Sequence, residues 1–324
     1  MKNIAILGGG NSSEYEVSLG SAANVLNALK GMDYNLYSVH VRGTEWNCVA
    51  EDGTQTVVDK NDFSTTIAGV KVKFDYALIM IHGTPGENGL MPAYFEMMGI
   101  PYSSCDSTCS MITFNKSVTK KMLRGLDVNM AREIVINRHQ SVNPAEIVAQ
   151  LGLPMFVKPD ASGSSCGVTK VAKVEDIMPA IEHAFTESSR VLIEEFIEGR
   201  EMGCGTIVTR ESEMVFPVTE IVSKKDFFDY EAKYQGMSEE ITPADIEESV
   251  RKELERQSLL IYKQLSCRGV VRIDFIVKKG VPYFIEINTI PGMSSQSIVP
   301  QQVAALGMTT GQLWDMVIRD TIDR

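Results

Sequence analysis

Arg272, Asp274, Glu286 and Asn288 are the residues whose types and spacing most plainly suit chemistry on a charged substrate. Two runs rich in β-branched and aromatic residues, 270–277 and 281–289, flank Lys278-Lys279-Gly280, which reads as a hairpin turn. Side chains alternate faces along a strand, so Arg272 and Asp274 share one face of the first strand, and Glu286 and Asn288 one face of the second. Val271, Ile273, Phe275, Ile285 and Ile287 are left for the opposite, apolar face. Folding about 279–280 sets Asp274 nearly opposite Glu286, gathering two carboxylates and an amide oxygen beside a guanidinium. Like charges facing each other on a sheet repel, and an arginine or a bound cation relieves that. Oxygen donors without His or Cys suit a hard ion, and Mg²⁺ usually takes one or two carboxylates plus substrate phosphates. The alternative is an exposed polar sheet face with a surface Arg–Asp pair. The loop that follows, Thr289-Ile290-Pro291-Gly292-Met293-Ser294-Ser295-Gln296-Ser297, offers N–H groups and hydroxyls suited to an anion, and it favours the metal-and-substrate reading.

The chain that positions these groups has 324 residues, room for two or three domains. With 44% apolar and 23% charged residues its composition is that of an ordinary globular protein. A net charge of −11 argues against a nucleic-acid partner, which needs a basic surface, and fits a role in solubility. No apolar run approaches the roughly 18 residues of a bilayer span. Met1-Lys2-Asn3 leads straight into a strand without a cleavable signal pattern, so no membrane partner is expected. The six cysteines lack paired CxxC spacing. Cys105 and Cys109 have no second pair or histidine nearby, which argues against zinc and for reduced thiols in a cytoplasmic protein.

Residues 3–7 read as a strand, followed by a glycine loop at 8–10 and a helix to about Lys30 closed by Gly31. This pattern admits a dinucleotide fold, but Ser13 stands where GxGxxG needs glycine and no acidic residue closes a clear second strand. The loop either aims Glu14 at a ligand or places acids where the helix dipole favours them. Strands at Tyr34–Val41 and Tyr76–Ile81 continue an open α/β layer, the second ending in His82-Gly83-Thr84-Pro85-Gly86-Glu87-Asn88-Gly89. Strand carboxyl ends are where such sheets bind ligands. His40, His139 and His183 read as structural.

Beyond Gly99-Ile100-Pro101-Tyr102, a candidate boundary, a helical stretch carries Lys116, Lys120 and Lys121, a pattern that is normally a solvated face. A strand ending in Lys158 runs into Asp160-Ala161-Ser162-Gly163-Ser164-Ser165-Cys166-Gly167. Small residues there let backbone N–H groups approach phosphate, although a plain glycine-rich hairpin has the same composition. The absence of GxxxxGK[ST] disfavours a P-loop. A strand at Arg190–Ile197 precedes Glu198-Gly199-Arg200-Glu201. The long connection opened by residues 227–234 has the size of a lid. Thr242-Pro243-Ala244-Asp245 then reads as the start of a helix to about Cys267, and 299–324 as helices packing on the hairpin.

Seven motifs, in family order and spanning nearly the whole chain, resemble the D-alanine–D-alanine ligases of the ATP-grasp superfamily. They include GGNSSEYEVSL at 9–19, the complete HG-x-x-GE-[DN]-G at 82–89, YEAKY at 230–234, and RID followed by EIN-T-x-PGM-S-S-x-S. The resemblance implies an α/β protein, α+β in its ATP-grasp part, with three domains: 1–103 N-terminal, 104–193 central and 194–324 C-terminal. ATP would lie between the last two. Asp274, Glu286 and Asn288 would hold two Mg²⁺ (or Mn²⁺), with Lys116, Lys158 and Lys233 on phosphate beneath a flap carrying Ser164 and Ser165. Backbone at Glu195, Phe196 and Ile197 would meet adenine, with Glu194 near the base and Glu201 on the ribose.

Two D-alanine molecules are the implied substrates, joined through an acylphosphate to supply a peptidoglycan precursor. Glu14 would hold the first substrate's ammonium, with His82 near its carboxylate and Glu87 supporting. Arg272 would stabilise the acylphosphate and the tetrahedral intermediate, while Ser297 and the backbone at Gly292 and Ile298 would hold the second carboxylate. Tyr234 would bond with Ser164 and Glu14; phenylalanine at its place marks ester-forming D-alanine–D-lactate relatives. A homodimer is the family expectation. The chain departs from the pattern at Cys166, often apolar in relatives, and at Glu195, often lysine. Another ATP-grasp carboxylate–amine ligase would need different groups at Glu14, His82 and Ser297, and a non-catalytic nucleotide-binding module would lack the Asp/Glu/Asn set.

Overall fold

A computed structural model describes residues 1–163, 166–223 and 238–323, arranged around three sheets. In the first, β1 (Lys2–Gly9) lies parallel to β2 (Tyr34–Arg42) and to β7 (Tyr76–Ile79). Parallel strands of this kind are covered on both faces, which is why β1 carries the unbroken apolar run Ile4-Ala5-Ile6-Leu7. Ile4 and Ile6 share a core with Ala22, Val25 and Leu29 of α1 (Tyr15–Leu29). Ala5 and Leu7 belong to a second core with Phe95 of α2 (Leu90–Met98). Between β2 and β7 the chain forms β3 (Glu45–Val49), β4 (Gln55–Asp59), β5 (Ser64–Ile67) and β6 (Val70–Lys73), an antiparallel extension absent from the sequence reading. These strands are short and largely polar, so they carry little apolar periodicity.

The middle sheet has the order β11-β10-β12-β9, from β9 (Glu133–Asn137), β10 (Met155–Pro159), β11 (Thr169–Val171) and β12 (Arg190–Glu195). Its apolar side closes on α5 (Pro144–Leu151) and α6 (Ile177–Glu187) in a core of its own.

The third sheet contains β13 (Arg200–Val208), β14 (Glu213–Val215), β15 (Thr219–Ser223), β16 (Ser238–Ile241), β17 (Val271–Lys278) and β18 (Val281–Asn288). Its edge strand is β8 (Asn129–Met130), and α7 (Glu248–Gln264) packs on its apolar back. The helix begins later than Thr242-Pro243 led one to expect; the Thr242 hydroxyl instead pairs with Thr219 at 2.6 Å. From the segment 104–193, α3 (Ser107–Phe114) and α4 (Lys116–Leu123) contribute Cys109 and Leu123 to this third core rather than to the middle one.

The β17–β18 hairpin turns at Lys279-Gly280, both left-handed with φ of 50° and 79°, as a two-residue primed turn requires. Asp274 lies opposite Glu286 and Arg272 opposite Asn288, the register expected. Between Asp274 and Phe275 a bulge breaks the alternation, so Phe275 pairs with Phe284 and Ile285 is the extra residue. Ile285 therefore leaves the apolar face assigned to it and lines the cleft, while Phe284 takes its place in the core.

The C-terminus forms α8 (Ile298–Ala305) and α9 (Thr310–Thr321). On the third sheet, Gln302 of α8 accepts from Gly205 N–H at 3.1 Å and donates to the Gly203 carbonyl at 2.8 Å. The apolar stripe Leu313, Trp314, Val317 and Ile318 of α9 shares a core with Ile207 and Phe216 of that part of the chain and also reaches α1 and β1 of the first sheet, a contact the sequence did not announce. Among the described residues no helix is long and apolar enough to cross a membrane.

Gly269, just before β17, has φ of 63°, and a Cβ there would run into the Ser103 carbonyl oxygen. Gly269→Ala is expected to cost about 2 kcal/mol, seen as a lowered midpoint in thermal unfolding; an unchanged midpoint would show that this close approach carries no strain.

Candidate active site

A cleft of about 470 Å³ opens between the middle and third sheets, within the range typical of small-molecule sites. One wall comes from β10 and β12, the other from β13 and the β17–β18 hairpin. At the end nearest β12, Phe156 and Phe196 stand with ring centroids 5.9 Å apart, and Lys170 Nζ lies 4.5 Å above the Phe196 ring. Phe196 and Ile197 line this end. Phe156 was not singled out from the sequence, although its position two residues before Lys158 on one strand puts both on the same face. The Glu195 carboxylate accepts from Arg132 Nε at 2.7 Å and from its backbone N–H at 2.8 Å. Arg132 thus neutralises this acid.

Deeper in, cations and carboxylates interlock. The Glu194 carboxylate bonds both Lys158 and Lys120, the latter at 2.5 Å, and Lys120 also meets Glu133 at 2.9 Å. Burial opposes ionisation of Glu194, yet the two lysines hold its pKa below the ordinary value. Lys120 is 2% exposed, which corrects its assignment to a solvated face. The signal was available: Lys120 follows Lys116 by one helical turn and shares its side of α4. Lys121 is exposed, as expected. Lys116 Nζ lies 3.0 Å from Glu286 Oε2 and 3.0 Å from the Ser162 carbonyl. Burial alone would lower its pKa; Glu286, with Glu194 and Asp160, raises it, so it is a cation in the cleft.

On the hairpin, Arg272 grips Asp274 with Nε–Oδ1 at 2.7 Å and NH2–Oδ2 at 2.8 Å, and Asn288 donates to Asp274 Oδ2 at 3.0 Å. Burial works against the Arg272 charge, and Asp274 more than offsets it. A Cβ placed at Gly203 would lie 3.5 Å from Arg272 Cδ and Asp274 Oδ1 and 3.7 Å from Ile298 Cδ1, so Ile298 stands beside this pair. Ser297 Oγ accepts from Ser294 N–H at 3.1 Å and lies beside Gly292. Ser297, Ile298 and Gly292 thereby adjoin the Arg272 end, and Glu201 lines the cleft on β13.

A third group converges from the first sheet. The Glu14 carboxylate, at the start of α1, approaches Gly163 so closely that a Cβ there would lie 2.7 Å from its Oε2. His82 is buried, with Nδ1 2.9 Å from the Ile290 carbonyl and Nε2 3.1 Å from the Ser21 hydroxyl. That pairing makes Nδ1 the donor and Nε2 the acceptor, and burial lowers the ring's pKa against the pull of Glu14. Glu87 Oε2 accepts from Gly83 N–H at 2.7 Å. Ser164, Ser165, Lys233 and Tyr234 lie outside the described residues.

An open α/β sheet followed by two sheets that clasp a cation-lined cleft defines an ATP-grasp ligase. Residues 3–105 match the family model described as D-ala D-ala ligase N-terminus, and residues 122–319 that of the D-ala D-ala ligase C-terminus. A D-alanine–D-alanine ligase of Phocaeicola vulgatus is 47% identical over 308 residues, 95% of each chain. Among solved structures, the VanG D-Ala:D-Ser ligase of Enterococcus faecalis is 30% identical over 98% of each chain, with a TM-score of 0.86. The D-alanine–D-alanine ligase of Bacillus anthracis complexed with ATP is 26% identical, covering 99% of this chain and 96% of its own, with a TM-score of 0.77. The chain belongs to the D-alanine–D-alanine ligase family.

Burial first, then the charge of Glu14, pushes the Glu87 pKa from 4.5 up to about 8. A carboxyl raised on folding lends stability below its unfolded pKa, and that stability is lost as pH rises through the folded one. Wild type should therefore lose thermal stability from about pH 4.5 to about pH 8, and Glu87→Gln should lose less over the same range. Parallel melting curves for the two proteins would remove Glu87 as the cause.

Proposed function

We propose that this chain joins two molecules of D-alanine to D-alanyl-D-alanine with conversion of ATP to ADP and phosphate. The observation that carries this reading is the hairpin register, which sets Asp274 opposite Glu286 and Arg272 opposite Asn288, with Glu286 and Asn288 lining the same cleft as Lys116 and Lys158. Within this reading residues 1–103, 104–193 and 194–324 are the three functional units, with ATP between the second and third.

ATP lies with its base near Phe196 and Ile197, Glu201 on the ribose, and its phosphates toward Lys116 and Lys158. A carboxylate oxygen of the first D-alanine attacks the γ-phosphorus, and the bond to the ADP oxygen breaks, giving an acylphosphate. Phosphoryl transfer asks mainly for alignment and charge neutralisation, which the two lysines and Arg272 provide. Glu14 holds the first ammonium, and His82 braces the loop at Ile290 against α1 beside it. The amine of the second D-alanine, its carboxylate held near Gly292, Ser297 and Ile298, attacks the acyl carbon. Arg272 faces the oxygen that gains charge, phosphate leaves, and the amine gives up its proton.

Two carboxylates and an amide, with no sulfur or imidazole among them, fit a hard divalent cation such as Mg²⁺. Asp274, Glu286 and Asn288 would hold it, the last by turning its amide oxygen inward. When bound, such ions offset the charge on the phosphates and template their orientation. Asp274→Asn and Glu286→Gln are each expected to lower kcat about a hundredfold or more at saturating ATP, with the far-UV dichroism of wild type. Near-normal phosphate release by both variants would remove these residues from the chemistry. A coupled ADP-release assay offered D-alanine, L-alanine or D-lactate tests the substrate assignment; turnover with L-alanine alone would refute it.

A further inference from the structure

Away from the cleft, three cysteines from separate segments meet. Cys105 precedes α3, Cys109 lies in its first turn, and Cys267 follows α7. All three are buried, and their sulfur atoms lie within 4.8 Å of one another. Cys109 Sγ and Cys267 Sγ are 3.8 Å apart. A tetrahedral ion with metal–sulfur bonds of about 2.3 Å has sulfur–sulfur edges of about 3.8 Å. Local spacing gave no hint of this cluster, because its third member is separated from the other two by most of the chain.

Buried cysteine also packs as a small apolar side chain, and these three do belong to the third sheet's core. The surroundings go further than packing needs. Arg268 N–H donates to Cys105 Sγ at 3.3 Å, and the Cys105 thiol donates to the Arg268 carbonyl at 3.5 Å. The Asp106 oxygens have other partners: one caps α3 through Cys109 N–H at 2.8 Å, and the other meets the Arg268 guanidinium at 3.3 Å. The donors gathered here are thus three sulfurs, with one backbone oxygen 3.5 Å from Cys105 Sγ. Such a soft set suits Zn²⁺ or Cu⁺ and is a poor match for Mg²⁺.

We propose that Cys105, Cys109 and Cys267 form a structural site for a thiophilic d¹⁰ cation, trigonal for Cu⁺ and completed by the Arg268 carbonyl for Zn²⁺. Binding replaces three S–H bonds with metal–sulfur bonds and releases the three protons to solvent. The site ties the segment leading through α3 to Phe114 and Lys116 to the segment leading through Gly269 to Arg272 and Asp274. An ion there stiffens the frame of the cleft from behind and takes no part in the reaction.

The test uses reduced, chelator-stripped full-length protein, titrated anaerobically at saturating Mg²⁺ with Cd²⁺ as the probe. Cadmium–thiolate charge-transfer absorption reports sulfur ligands only, so the carboxylates of the cleft cannot produce it. One equivalent should saturate the signal and raise the unfolding temperature. Cys109→Ser and Cys267→Ser should lose both effects, whereas Cys48→Ser and Cys166→Ser should keep them. Displacement by Zn²⁺ in one arm and Cu⁺ in another, read as loss of the absorption, identifies the preferred ion. Should the serine variants fail to fold, mapped thiol alkylation of wild type under mild denaturant replaces them, with Cd²⁺ expected to protect these three cysteines selectively. No stoichiometric absorption in reduced wild type, its survival in both variants, or equal alkylation with and without Cd²⁺ would overturn the proposal. So would a Cys109–Cys267 disulfide in the protein as isolated, with no metal taken up after reduction.

Discussion

A charged group taken out of water must be met by an opposite charge, and the cleft is organised by that demand. Asp160 is fully buried and is met by Arg190 at 2.8 Å and by the N–H and hydroxyl of Ser117 at the start of α4. Glu194 is met by two lysines, Glu286 by a third and Asp274 by Arg272. Removing one partner from such a pair strands the other, so each cation's placement depends on its carboxylate. Against the effect of burial, Glu286 with Glu194 and Asp160 raises the pKa of Lys116, and Glu194 with Glu133 raises that of Lys120, so these carboxylates hold both lysines as cations.

The hairpin supplies the second constraint. An unbroken antiparallel ladder would have put Ile285 on the apolar back and left Phe284 on the face of Glu286. The bulge at Asp274/Phe275 lets Glu286 remain opposite Asp274 while Phe284 and Phe275 meet in the core with ring centroids 6.3 Å apart. One inserted residue thus satisfies the cleft, which needs a carboxylate, and the core, which needs an aromatic ring.

The sequence made the hairpin register, the parallel β1–β2–β7 layer and the order of the site motifs legible, because period-two alternation and turn residues act locally. It was silent where placement depends on distant partners. Lys120 shares a side of α4 with Lys116, but its partners Glu133 and Glu194 lie on separate strands, so its spacing alone did not distinguish a buried cation from solvent-facing charge. Strands β3–β6 are stabilised chiefly by pairing with one another, and their short polar sequences leave almost no periodic trace. The helix expected at Thr242 failed because a good capping sequence was overridden by the Thr219–Thr242 bond, which holds that segment beside β15.

The way the three sheets share cores also bears on how the cleft can open. The first and third are joined through one apolar cluster in which Ile4, Ile6, Trp314, Val299 and Val270 all take part. Polar ties reinforce it: Asn24 donates to the Met293 carbonyl at 2.5 Å, Ser21 accepts from Met293 N–H at 3.2 Å, and His82 donates to Ile290. These bonds fix the Glu14 corner relative to the loop at 289–297, so the two move together. The middle sheet, by contrast, closes its apolar surface within its own core, between its strands and α5 and α6. Its junction with the third sheet is occupied largely by the cleft itself. Displacing the middle sheet uncovers less apolar surface than separating the other two, so the seam lined by the cleft is also the least costly one to open.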